Sequence, residues 1–221
     1  ATFKGYTVVD PATVITTHLT ELIRDNMSEL LSYVETQNLL DELPNEHQKL
    51  VGEVVPNQIS VGGIQRVLQN LLNERVSIRD LPTILEGISE ACAFTRNVTQ
   101  LTEHVRSRLA RQISEQNSTE DNFIPLVTLS AEWEQIFSDS ILDQGEDKQL
   151  SMAPSQLQRF IGAVRTTLDE LADKEDPPVV LTSPTARPFV RSIIERFRPT
   201  TSIMSQNELH PKAKIKTLGQ I

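Results

Sequence analysis

VVLTSPTARPFVRSIIERFRPTTSIM, residues 179–204, decides the fold class. Val179-Val180-Leu181 is a short apolar run of the buried-strand type, and Ser202-Ile203-Met204 is a second. The stretch from Pro184 to Phe197 between them reads as a helix. Strand, helix, strand in that order is a βαβ unit, which implies two parallel strands joined by a right-handed crossover. Upstream of it, Phe123 to Leu129 reads as another strand. Ser130 caps a helix carrying Trp133, Ile136, Phe137 and Ile141, and Pro154 to Ala172 is a further helix. Asp173 to Asp176 marks a turn, and Ala213 to Leu218 alternates as a last strand.

The first half of the chain has a different rhythm. Tyr6-Thr7-Val8-Val9 is strand-like, and Asp10-Pro11 places a carboxylate N-cap before a proline at the first helical position. Val14, Ile15, Leu19, Leu22, Ile23, Met27, Leu30 and Leu31 then form a helical stripe with no glycine or proline inside it. Shorter helices follow around 36–43 and 46–54, punctuated by Pro44 and Pro56, and 60–75 is another with Ile64, Val67, Leu68, Leu71 and Leu72 on one face. Ser77 to Asp80 resembles a capping box for a helix through Ile84, Leu85, Ile88 and Cys92. Asn97 to Gln100 gives another, opening a helix through Leu101, Val105, Leu109 and Ile113. Ser114 to Asn122 contains no aliphatic or aromatic residue and is expected to be unable to anchor in a core, which places a domain boundary there. The expected fold is mainly α, an all-helical domain followed by a small α/β domain that contains the βαβ unit.

Composition narrows the function. A net charge of -9 with a pI near 5.0 argues against a broad phosphate-neutralising surface, so nucleic acid is not an expected partner. One cysteine excludes an internal disulfide and fits a reducing compartment. No apolar run is long enough to cross a bilayer, so no membrane insertion is expected of these residues. The start at Ala1 without Met, running at once into a strand, reads as a fragment of something longer. Gly62-Gly63 is followed by Ile64-Gln65-Arg66 and fits no phosphate-binding loop. His18, His47, His104 and His210 never stand four apart, so adjacent helical turns cannot build a metal site from them. Cys92 falls on an apolar helix face with Ile88, the place of a packing thiol and not a nucleophile. The expectation is therefore no catalytic residues, no metal and no cofactor: a soluble protein-docking module. Charge is unevenly divided. Residues 114–176 carry 4 basic against 14 acidic residues, and 177–221 carry 7 against 2. In that basic piece Lys212, Lys214 and Lys216 read either as protection of an edge strand or as a protein-binding face.

Two segments carry a resemblance: Gly5-Tyr6-Thr7-Val8-Val9-Asp10-Pro11-Ala12-Thr13-Val14-Ile15-Thr16-Thr17-His18-Leu19, and Gln65 to Glu86, with Gln65-Arg66-Val67-Leu68-Gln69-Asn70-Leu71-Leu72 at its start. They resemble the cytoplasmic part of the FlhA/InvA/LcrD family, the large export-gate protein of bacterial flagellar and virulence type III secretion. The ending from Ser205 through Lys212-Ala213-Lys214-Ile215-Lys216 to Ile221 is closer to the flagellar branch. The resemblance implies three parts: 1–24 as the last strand and helix of an upstream subdomain, 25–116 as a helical domain, and 117–221 as the small α/β domain. It also implies a ring beneath the export channel that receives export chaperones with bound flagellar substrates. Other export-apparatus proteins would be partners, and the location would be the cytoplasmic face of the bacterial inner membrane. The resemblance implies a chaperone-binding dimple of which only part maps here, onto Val9, Val14 and Thr17, its remaining wall belonging to a subdomain these residues do not include; Gln65, Gln69, Arg75, Arg79 and Glu86 are candidate ring contacts. The reading from a different class is a helical regulatory or DNA-binding protein, against which the acidic balance counts.

Overall fold

The computed structural model describes residues 10–145, 147–172 and 176–221. The strand expected at 6–9, Val9 with it, and most of the turn expected at 173–176 lie outside them. The chain divides into two compact units, Ala1–Asp80 and Leu81–Ile221.

The first unit is helical. Helix α1 (Pro11–Asp25) starts as its sequence dictates: the Asp10 side chain accepts from the Thr13 N–H and hydroxyl, which also holds its carboxyl below the ordinary value. The single long helix expected from the stripe Val14 to Leu31 is broken at Asn26. The Asn26 Nδ2 and N–H both donate to the Leu22 carbonyl, satisfying the end of α1, and a short α2 (Met27–Leu30) follows. Helix α3 (Tyr33–Asp41) begins three residues earlier than expected because Ser32 caps it, accepting from the Glu35 N–H. Helix α4 (Asn45–Val54) ends before the cis Val55–Pro56 bond. Helix α5 (Val61–Asn73) is the hub. Its Ile64, Val67, Leu68 and Leu71 are fully buried, and α2 and α3 pack on it. It closes in a Schellman turn, with Val76 N–H donating to Leu71 O and Arg75 N–H to Leu72 O. Arg75 takes the left-handed position (φ 57) that glycine usually fills.

The second unit opens with α6 (Leu81–Ala91), α7 (Val98–Arg108) and α8 (Ala110–Gln116). Helix α6 begins four residues after Ser77, whose Oγ accepts from the Arg79 N–H. Asn97 does cap α7, accepting from the Gln100 N–H. Gly87 lets α6 and α7 approach closely: a Cβ there would lie 3.3 Å from Val105 and Arg108 side-chain carbons.

Next come β1 (Phe123–Thr128), α9 (Ala131–Ser140), β2 (Ile141–Gln144), β3 (Asp147–Leu150), α10 (Pro154–Glu170), β4 (Val179–Thr182), α11 (Arg187–Ile194), β5 (Ile203–Ser205), a 3-10 turn at Gln206–Glu208, and β6 (Lys214–Gln220). The expected βαβ unit is present: β4 and β5 pair in parallel, Leu181 opposite Met204. Its helix is shorter than 184–197, covering Arg187 to Ile194. The sheet runs β5-β4-β1-β6, and every pairing in it is parallel. Its core centres on Phe160, which meets Trp133 (5.1 Å) and Phe137 (5.0 Å) edge to face. The β2–β3 hairpin, turning at Gly145 (φ 72), had no counterpart in the sequence reading. Asp143, Asp147, Lys148 and Gln149 lack the apolar alternation by which a strand is recognised.

Residues 114–122 were expected to lie loose between domains, yet their first residue is anchored. Ser114 is buried; its Oγ donates to the Glu208 carbonyl and accepts from the His210 N–H. Hydrogen bonding does here what apolar contact does elsewhere. By contact, the whole segment belongs to the second unit.

Candidate docking surface

Helix α1 carries the described part of the expected site, and it buries no residue. Val14, Ile15, Leu19, Leu22 and Ile23 are each about half exposed or more, Val14 at 54%. The amphipathic stripe that ordinarily faces a core therefore lies uncovered among the described residues. Val14 sits at the edge of that stripe. Thr17, three residues on, shares its face but lies off the stripe and is exposed. Glu21 continues the same row and pairs with Arg24 at 2.8 Å, so the surface next to Thr17 carries charge as well as apolar area. The sequence reading missed this pair; the i, i+3 spacing of Glu21 and Arg24 was the available signal.

The five candidate ring residues divide by what their side chains already hold. Gln65 Nε2 donates to Leu31 O at 2.9 Å. Gln69 Nε2 donates to Ser28 O and Leu31 O, and Arg75 pairs with Asp25 at 2.5 Å. These three fasten 25–31 to the α5 end of the first unit. Arg79 is exposed, and Glu86, exposed on α6, lies 3.5 Å from Arg108.

The second unit contains a buried ionic network unforeseen from the sequence. Arg106 on α7 pairs with Glu208 at 2.6 Å, with side chains 3% and 1% exposed. Arg187 at the start of α11 grips Glu103 with two N–H groups, one at 2.6 Å, and lies 3.6 Å from Glu208. Glu208 also accepts from the Ser205 hydroxyl and N–H. Burial pushes the Glu103 carboxyl above its ordinary value, against the pull of Arg187. Glu103 lines a cavity of about 460 Å³ together with Gln100, Lys148, Pro184 and Phe189. Two arginines and two glutamates on α7, α11 and the 3-10 turn thus clamp the helical layer to the β5 edge. The separation of these residues by up to 102 positions hid the network in the sequence.

Among the described residues no cluster of three His, Cys, Asp or Glu could hold a metal, and no helix is long and apolar enough to cross a membrane. Gly62 and Gly63 lie in the first turn of α5, and Cys92 is buried just beyond α6.

The fold has solved counterparts. The Chlamydia pneumoniae CdsV and CdsO protein complex matches with a TM-score of 0.88 at 28% identity, covering 99% of this chain and 64% of that one. The cryo-EM structure of nonameric EPEC SctV-C gives 0.82 at 28% identity, covering 94% and 62%. The C-terminal domain of InvA gives 0.84 at 27%, covering 98% and 66%. The fold class is that of these domains. Residues 1–214 match the FHIPEP family, and the chain belongs to it. It is 57% identical to the flagellar biosynthesis protein FlhA of Caulobacter vibrioides over 221 residues, all of this chain and 32% of that protein. To FlhA of Bacillus subtilis it is 36% identical, over all of this chain and 33% of that protein. The chain thus spans about a third of the length of the curated relatives it matches.

Proposed function

We propose that the chain is a non-catalytic docking and ring-forming part of a bacterial flagellar type III export gate, receiving export chaperones with their bound substrates at the cytoplasmic face of the inner membrane. The observation that carries this reading is α1, whose apolar residues stand exposed beside Val14 and Thr17, the positions where the family resemblance puts the docking pocket. An uncovered apolar face of this kind marks a surface that another polypeptide covers. Val9 is the third position of the part of the pocket that these residues carry in this reading. The parts are 1–24, 25–116 and 117–221, and the proposed ring contacts are Gln65, Gln69, Arg75, Arg79 and Glu86, of which Arg75, Arg79 and Glu86 are exposed. Ring assembly is supported by the likeness to nonameric SctV-C, and a further export-apparatus partner by the likeness to CdsV in complex with CdsO. A virulence-type gate is the second reading, favoured by the solved structures; the 57% identity to a flagellar protein favours the first.

Thr17→Met in the protein carrying its upstream residues tests it. Methionine is a good helix former, so α1 persists while the pocket is obstructed. A spoiled central contact costs about 2 kcal/mol or more, a loss of over tenfold in affinity for a flagellar chaperone–cargo complex. Unchanged affinity removes Thr17 from the site.

A further inference from the structure

Strand β6 forms one edge of the four-stranded sheet. In the sheet order β5-β4-β1-β6, β6 is a terminal strand, and among the described residues nothing pairs with its outer side. Its first half is more isolated than its second. Lys214, Ile215 and Lys216 lie opposite Phe123, Ile124 and Pro125 of β1, whereas β4 joins β1 only from Leu126 onward. Over these three positions the sheet is a ribbon of two strands, and two strands alone are marginal in water where three hold. Residues 214–217 are all exposed, with Ile215 at 55%.

Edges of this sort are commonly blunted by lysines and bulges, and β6 has both: Lys214 and Lys216, and a register shift opposite Leu126/Val127. Protection alone does not account for Ile215, an exposed branched apolar residue centred between the two lysines. The side-chain period of two puts Lys214 and Lys216 on one face of the edge and Ile215 with Thr217 on the other. Lys216 is oriented on its face by the Phe123 ring, its Nζ 4.9 Å from the centroid. A strand laid along this edge would meet cations on one face and an apolar residue on the other. Lys212, exposed just ahead of β6, adds a third cation to Lys214 and Lys216 at this edge.

We infer that the outer edge of β6 binds, by strand addition, an extended segment of a partner protein in which acidic and apolar residues alternate. The main-chain ladder supplies affinity, and the two faces supply the pattern that is read. This surface is separate from the docking reading of α1, and its failure would leave that reading unchanged.

The test is fluorescence anisotropy of the whole chain with a labelled seven-residue peptide of alternating Glu and Val. Three comparison probes are used: the same composition in blocks of Glu then Val, alternating Lys and Val, and the alternating Glu/Val peptide N-methylated at every second residue. The alternating acidic peptide should bind at least tenfold more tightly than each of the three. Lys214→Glu with Lys216→Glu should weaken it at least tenfold, and saturation should slow amide exchange at 214–217. Both lysines are exposed, so Trp133 fluorescence, which reports the core of the same unit, should be unchanged in this variant. Ile215→Thr, which keeps every charge, should also weaken binding. Equal binding of the block or N-methylated peptide would overturn the proposal by reducing it to charge attraction. No binding at millimolar peptide, undiminished binding by the lysine variant, or slowed exchange elsewhere than 214–217 would overturn it too. So would a second copy as occupant, seen as concentration-dependent association that the lysine variant abolishes.

Discussion

Arg106→Met should cost the second unit about 3 kcal/mol, and the structure fixes why. The substitution removes the guanidinium 2.6 Å from Glu208 and leaves a carboxylate that is 1% exposed. Breaking a buried ion pair from one side typically costs ~3–5 kcal/mol, because the surviving charge is left without its partner. The low end applies here, since Arg187 stays 3.6 Å from Glu208 and Ser205 still donates to it at 3.1 Å. Methionine preserves helix propensity and apolar volume on α7, so the loss reports charge and not shape. For a chain of this size each kcal/mol moves the melting midpoint by about 2–4 °C, giving a drop of roughly 6–12 °C. The assay is urea unfolding followed by the sole tryptophan, Trp133, which lies in the core of the same unit. Adding Glu208→Gln removes the stranded charge while keeping an acceptor for Ser205, and should restore more than half of the loss. A loss under 1 kcal/mol for the single variant, or no recovery in the double one, would refute the clamp.

Glu103 gives a pH dependence. Its folded pKa is raised by burial, so the folded unit holds this proton more tightly than the unfolded chain. The stability it contributes is present below the ordinary glutamate pKa and is lost as pH rises through the folded value. Relative to the parent, Glu103→Gln should therefore gain stability as pH rises across that window, read as urea midpoints at several pH values; a parallel pair of curves would contradict this. The two adjacent glycines of α5 should respond in opposite directions. A Cβ at Gly62 would meet only the Ser60 hydroxyl oxygen, at 4.0 Å, so Gly62→Ala gains up to ~1 kcal/mol. A Cβ at Gly63 would fall 2.8 Å from Ile59 Cδ1 and closer to Cγ1, so Gly63→Ala loses about 1–2 kcal/mol in thermal unfolding. Cys92, buried at the end of α6, should react with a thiol reagent only as fast as the unit opens, and burst labelling without denaturant would count against it.

The sequence by itself determined what depends on neighbours along the chain. Asp10, Asn97 and Ser130 each cap the helix expected after them, because a cap is a bond between a side chain and an N–H two or three residues away. The parallel βαβ at 179–204 was legible for a similar reason: short apolar runs around a helix admit few topologies. The break at Asn26 was not legible, since the stripe continues through it and the side chain and N–H of Asn26, bonding back to Leu22, close the helix there. Nor was the β2–β3 hairpin, whose polar strands leave no periodic trace. Tertiary structure alone decided which charges are buried, because Arg106, Glu208, Glu103 and Arg187 meet across long sequence separations. It also decided that Gln65, Gln69 and Arg75 hold their own chain, while the stripe on α1, indistinguishable by period from a core-facing one, stands exposed. Period records that a helix has an apolar face; only the packed chain records whether anything covers it.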